Sequence, residues 1–133
     1  MNKKLFISVP MRGRTEENIR KSIEKMHKLA EIVFDQELEV IPSYIEDRPP
    51  VDCKEAVWYL GESIKKMADA DYVIGIDGYS RYYRGVYLER QIAGEYDIPY
   101  YNAPIEVVAP DAIKIAREEE AKTCHSVNVE CGC

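Results

Sequence analysis

Residues 4–15 read KLFISVPMRGRT, and this stretch decides the fold. Lys4–Val9 is a short aliphatic and aromatic run closed by Pro10, the pattern of a buried strand. Thr15 then precedes Glu16 and Glu17, a side-chain cap followed by acids in the first turn of a helix. Ile19, Ile23, Met26, Ala30 and Val33 come next at spacings of 4, 3, 4 and 3, one apolar stripe along a helix that ends near Gln36. A strand thus runs through a loop into a helix, the unit from which parallel α/β sheets are built.

The alternation continues along the chain. Leu38–Ile41 reads as a second strand, closed by Pro42, and residues 43–51 as a loop containing Pro49 and Pro50. Asp52, with Glu55 three residues on, has the capping-box pattern of a second helix whose buried face is Ala56, Val57, Leu60, Ile64 and Met67. Tyr72–Ile76 is a third strand, Val86–Tyr96 a third helix, Ile98–Tyr101 a fourth strand, and Pro110–Lys122 a last helix with proline in its first turn. Val107 and Val108 are a candidate short fifth strand. The expected fold is α/β, a flavodoxin-like three-layer sandwich around a parallel sheet of four or five strands in the order 2-1-3-4(-5). It occupies residues 1–122. Residues 123–133 form a tail, disordered or peripherally packed, whose Cys124, His125, Cys131 and Cys133 match no standard zinc spacing.

A chain of 133 residues, 46% hydrophobic and 32% charged, suits one domain. No apolar run approaches the ~18 residues of a membrane span. The N-terminus MNKKLFISVPMRGR lacks the apolar core of a secretory signal, so its four cysteines read as reduced thiols in a cytoplasmic protein. The net charge of −6 argues against a nucleic-acid polymer as partner. Residues 1–28, however, hold eight Lys/Arg against three Asp/Glu, whereas the remainder holds ten against twenty-one. A basic N-terminal quarter on an acidic body suits a small anion of nucleotide size.

In a flavodoxin-like order the ligand crevice lies beyond the carboxyl ends of strands 1 and 3. Two loops are picked out, Ser8–Thr15 and Asp77–Glu89, which should face each other. The first, SVPMRGRT, runs into a helix N-terminus, where free backbone N–H groups, Gly13, Arg12 and Arg14 suit an anion; a plain turn with solvated arginines is the bland alternative. No G-x-G-x-x-G, no G-x-x-x-x-G-K-[ST] and no G-x-S-x-G occurs, which removes the main support for dinucleotide, P-loop and serine-hydrolase readings. The second loop gathers Tyr79, Tyr82, Tyr83, Tyr87, Arg81 and Arg84 ahead of Glu89. Aromatic faces stack on bases and arginines pair with phosphates, although a tyrosine-rich loop also suits an oligomer interface. With the third helix starting at Val86, Glu89 falls in its first turn, where the dipole and the nearby arginines should keep it ionised. Asp77 either contacts ligand hydroxyls or simply turns the chain before Gly78. Trp58 and Tyr59 read as packing residues, His27 as a surface residue, and Cys53 has no partner base nearby.

ISVPMRG (7–13), ADADYVIGI (68–76) and RGVYLERQIAGEYDIPYY (84–101) together resemble the nucleoside 2-deoxyribosyltransferase-like family, which includes 2'-deoxynucleoside 5'-phosphate N-hydrolases. The resemblance covers about residues 3–103, with Gly85, Glu89, Ala93, Ile98 and Pro99 on the family's pattern. It implies N-glycosidic chemistry with Glu89 as nucleophile. Ser8, Met11, Arg12 and Gly13 would lie against the sugar or its 5'-phosphate, with Asp77, Ser80, Arg84 and Gly85 as further binding residues. The family commonly has an aspartate where this chain has Ser63, and a Ser or Asp where it has Tyr83; Ser80, Arg81 or Arg84 would have to supply the missing contacts. The expected partner is a nucleoside or nucleotide, with no metal, cofactor or membrane involved. The expected assembly is a homo-oligomer covering the tyrosine loop. A non-catalytic nucleotide-binding module on the same fold is the alternative.

Overall fold

The computed structural model describes residues 2–43 and 45–126, with backbone alone for 123–126. Four strands, β1 (Lys3–Ile7), β2 (Leu38–Val40), β3 (Tyr72–Ile76) and β4 (Tyr100–Ala103), form one parallel sheet in the order β2-β1-β3-β4. The register pairs Leu5 with Val40 and Tyr72, and Ile76 with Ala103. Helices α1 (Glu16–Val33), α2 (Glu55–Met67), α3 (Arg84–Glu95) and α5 (Pro110–Ser126) cover both faces, and a one-turn helix α4 (Ile105–Val108) comes after β4. The architecture is the flavodoxin-like one expected.

Because neighbouring strand residues point to opposite faces, β1 feeds two cores. Leu5 and Ile7 pack with Met26 and Ala30 of α1, Val108 of α4, and Ala112 and Ala116 of α5. Phe6 packs on the other side with Met67 of α2, Val73 of β3 and Ala93 of α3. Thr15 caps α1, its hydroxyl accepting from Asn18 N at 3.1 Å. The helix stops at Val33, three residues short of the expected end, as Asp35 turns to φ 52°.

Four local expectations are corrected. Val107 and Val108 belong to α4, not to a fifth strand. Pro104 opens that turn, and the Ile105 N–H donates to Asp77 Oδ1 at 3.1 Å, so β-branched content yields to the flanking cap. Asp52 does not cap α2: it stands at φ 65°, the helix begins after Lys54, and no side chain caps it. On α2 the expected buried face is only partly covered, since Met67 is buried but Val57 is 63% exposed. The backbone of α5 runs to Ser126, beyond Lys122. The side chains of Cys124, His125, Cys131 and Cys133 lie outside the described residues.

Candidate functional site

Glu89 is the sixth residue of α3, three beyond Val86 and four before Ala93, the other two buried residues of that helix. This spacing turns all three toward the sheet. The glutamate is therefore 7% exposed, and its Oε1 accepts from Ser8 Oγ at 2.7 Å, just beyond the end of β1. Burial pushes its carboxyl from 4.5 up to about 7, while hydrogen bonds from Ser8 and Ser63 hold against that rise. The expectation of a dipole-lowered carboxyl is thus reversed. The reason is a helix that begins at Arg84, led in by a 3₁₀ turn over Arg81–Tyr83, so Glu89 lies past the first turn; no arginine is among the groups that set its titration. Replacing Ser8 by alanine should push the Glu89 carboxyl higher still, read by side-chain ¹³C titration; an unmoved midpoint would show that the hydroxyl does not hold it.

A cavity of about 460 Å³ opens over this carboxyl, within the roughly 300–1,000 Å³ of small-molecule sites. Met11 and Arg12 line it from the first loop, Arg81, Arg84 and Gly85 from the second. Its α2 wall carries Ala56, Tyr59, Leu60 and Ser63, four residues on one helix face. Among the described residues, Glu89 is the only acid in the lining. Tyr59 and Ser63 were legible only as a packing residue and a departure from a family pattern; nothing in the local sequence marks the α2 face as a cavity wall. Ser8 meets the site through its bond to Glu89 rather than as lining. Gly13, Asp77 and Ser80 stand outside the lining. Asp77 serves α4 and Ser80 caps the 3₁₀ turn.

The two loops do face each other. Tyr83 Oη donates to the Arg12 carbonyl at 3.1 Å, and the Arg12 guanidinium lies 4.5 Å from the Tyr82 ring centroid. Gly13 adopts φ +75°, the left-handed region that favours glycine, and a Cβ there would stand 2.9 Å from Tyr82 Oη, the tip of that side chain. The tyrosine loop is less exposed than its composition suggests. Tyr83 is buried, which raises its phenol to about 12 and keeps it a neutral donor, and Tyr82 packs against the main core. Tyr79 remains 58% exposed, edge-on to Tyr87 at 5.0 Å.

Arg14 is neither solvated nor available to a ligand. Its side chain is 1% exposed, with Nε donating to Asp111 Oδ2 at 2.8 Å and Nη2 to Oδ1 at 2.9 Å. Nη1 donates to the Pro10 carbonyl at 2.7 Å, and Nη2 also to Ser22 Oγ at 2.7 Å. The bonds from Arg14 to Asp111 hold that carboxyl below its usual range.

Among the described residues, no three His, Cys, Asp or Glu side chains converge as a metal site, and no helix is long and apolar enough to cross a membrane. Comparison with known proteins returned no match to a family model, a curated protein or a solved structure.

Proposed function

We propose that this chain cleaves or transfers the N-glycosidic bond of a (deoxy)nucleoside or its 5'-monophosphate, with Glu89 as nucleophile, as a member of the nucleoside 2-deoxyribosyltransferase-like group. The observation that carries the reading is one buried carboxyl, gripped by Ser8 at 2.7 Å, facing a nucleotide-sized cavity whose lining includes Arg12, Arg81 and Arg84. The carboxylate attacks the anomeric carbon as the C–N bond breaks, and the base departs with the bonding electron pair. Water then releases the sugar from Glu89 in hydrolysis, or a second base takes it in transfer. The arginines pair with a 5'-phosphate and hold the sugar within reach of the carboxylate. Since attack requires the ionised form, kcat/KM should fall as pH drops below about 7, the value to which burial raises this group. A flat profile from pH 5 to 8 would count against Glu89 as nucleophile.

The experiment is incubation with a panel of nucleosides and 5'-monophosphates, then chromatography for free base. Release of base supports the enzyme. A second reading, nucleotide binding without turnover, has its own observation: no second carboxyl lines the cavity, among the described residues, to protonate a departing base. Binding without release selects it.

The same reading carries a homo-oligomer, supported by exposed apolar side chains close to the site, Tyr79 at 58% and Leu88 at 40%. Sedimentation velocity at micromolar concentration should give a mass above the monomer's 15.3 kDa; a strictly monomeric species would sink this part.

A further inference from the structure

Helix α5 reaches both cavity loops from behind. In its first turn Asp111 holds the fork of Arg14, and Arg14 holds the Pro10 carbonyl two residues before Arg12. Further along, Glu120 Oε1 accepts from Ser80 Oγ at 3.0 Å and from the Arg81 backbone N–H at 2.9 Å. That carboxylate therefore fixes the start of the 3₁₀ turn that carries Arg81 and leads into Arg84. Between the two, a methyl of Ile115 lies 3.4 Å from where a Cβ on Gly13 would stand, so the helix also backs the bend of the first loop. Neither Asp111 nor Glu120 lines the cavity.

We propose that α5 is a brace for the cationic mouth, with Asp111 and Glu120 as positioning residues that align Arg12 and Arg81 on an anionic group of the ligand. The inference rests on the nucleotide reading of the cavity and adds to it the elements that make the site ready for charge. An arginine on an unanchored loop must order its backbone as well as its side chain when a phosphate arrives, and that ordering subtracts from affinity. Here both backbones are already tied by charge-assisted bonds to one helix. The bracing acids direct their charge at loop donors, so they steady the guanidinium-bearing segments without occupying the place of the ligand anion.

The test is calorimetric binding of a deoxynucleoside 5'-monophosphate and of the matching nucleoside to wild type, Glu120→Ala and Glu120→Gln. Glu120→Ala should weaken the monophosphate by roughly tenfold, the effect of one misplaced charge-assisted contact. The nucleoside, lacking the anion, should shift by less than about twofold under the same loss. In Glu120→Gln the amide oxygen still accepts both bonds, so it should restore most of the affinity. The brace is overturned if Glu120→Ala binds the monophosphate as wild type does, if both ligands weaken alike, or if the glutamine variant is as weak as the alanine one. Wild type that binds neither ligand removes the nucleotide reading itself, and the brace with it; wild type that binds while the variants match it removes the brace alone.

Discussion

Glu89→Gln should abolish turnover and, above pH 7, make the protein more stable than wild type. The amide keeps the shape of the side chain and an oxygen that accepts from Ser8, but it cannot attack carbon. Among the described residues the cavity lining offers no second carboxylate to take over that step, so the rate should fall by at least about 10³-fold. A slow substrate should leave a mass increase of one sugar unit on the wild type and none on the variant.

The stability half is a matter of linkage. A carboxyl that titrates at 4.5 when solvated and about 7 when buried binds its proton more tightly in the folded state. Folding is then undisturbed by this group below pH 4.5, loses stability as pH rises from there to about 7, and carries the full cost above it. The cost is on the order of 3 kcal/mol, and a neutral amide does not incur it. Denaturant unfolding at pH 5 and pH 9 separates the effects: the variant's gain on wild type should be small at pH 5 and several times larger at pH 9. An equal gap at both pH values would show that the gain comes from packing rather than charge. Destabilisation by a group that the chemistry requires is expected of a site rather than of a scaffold.

The sheet order was legible because it rests on features that short segments carry by themselves. KLFISV, closed by Pro10, is too short for a helix, Thr15 has the side chain and the position of a helix cap, and the apolar stripe from Ile19 to Val33 has one helical period. The meeting of loops 8–15 and 77–89 came from topology alone. Burial, by contrast, was concealed. Glu89 reads as a first-turn acid kept ionised in the crevice until the 3₁₀ turn at Arg81–Tyr83 shifts the start of the helix and its spacing from Val86 and Ala93 buries it. Arg14 looks like Arg12 in PMRGRT, yet one faces the cavity and the other is enclosed by Asp111, 97 residues away. Val107 and Val108 have strand propensity, but a flanking cap, Asp77 on the Ile105 N–H, decides for a helical turn. The last two depend on a partner distant in sequence, which local pattern does not encode.

Arg14→Ala should destabilise the fold by about 1–3 kcal/mol, the effect of leaving partly buried acceptors without their donor. Against a typical total of about 5–15 kcal/mol for a domain, this is a large share of the stability. The size of the effect comes from the groups left behind. Removal of the guanidinium takes the arginine's two bonds from the Asp111 carboxylate, which keeps its backbone donors, and leaves the Pro10 carbonyl and Ser22 Oγ without that donor, in a place where the arginine itself was 1% exposed. Arg14→Lys keeps the charge but offers no planar fork, so it should recover only part of the loss. The pH dependence has the opposite sign to that of Glu89. Arg14 lowers the Asp111 carboxyl below 3.8, so the pair stabilises the fold above the unfolded-state pKa and loses that contribution as pH falls through the lower folded value. Acid unfolding should therefore begin at higher pH in the variants than in wild type, with Asp111→Asn showing the same direction from the other side of the pair. Thermal melts at pH 7 and acid titrations monitored by circular dichroism read both effects. If Arg14→Ala melts within a degree or two of wild type, the network around Arg14 does not hold α1, α5 and the first cavity loop together.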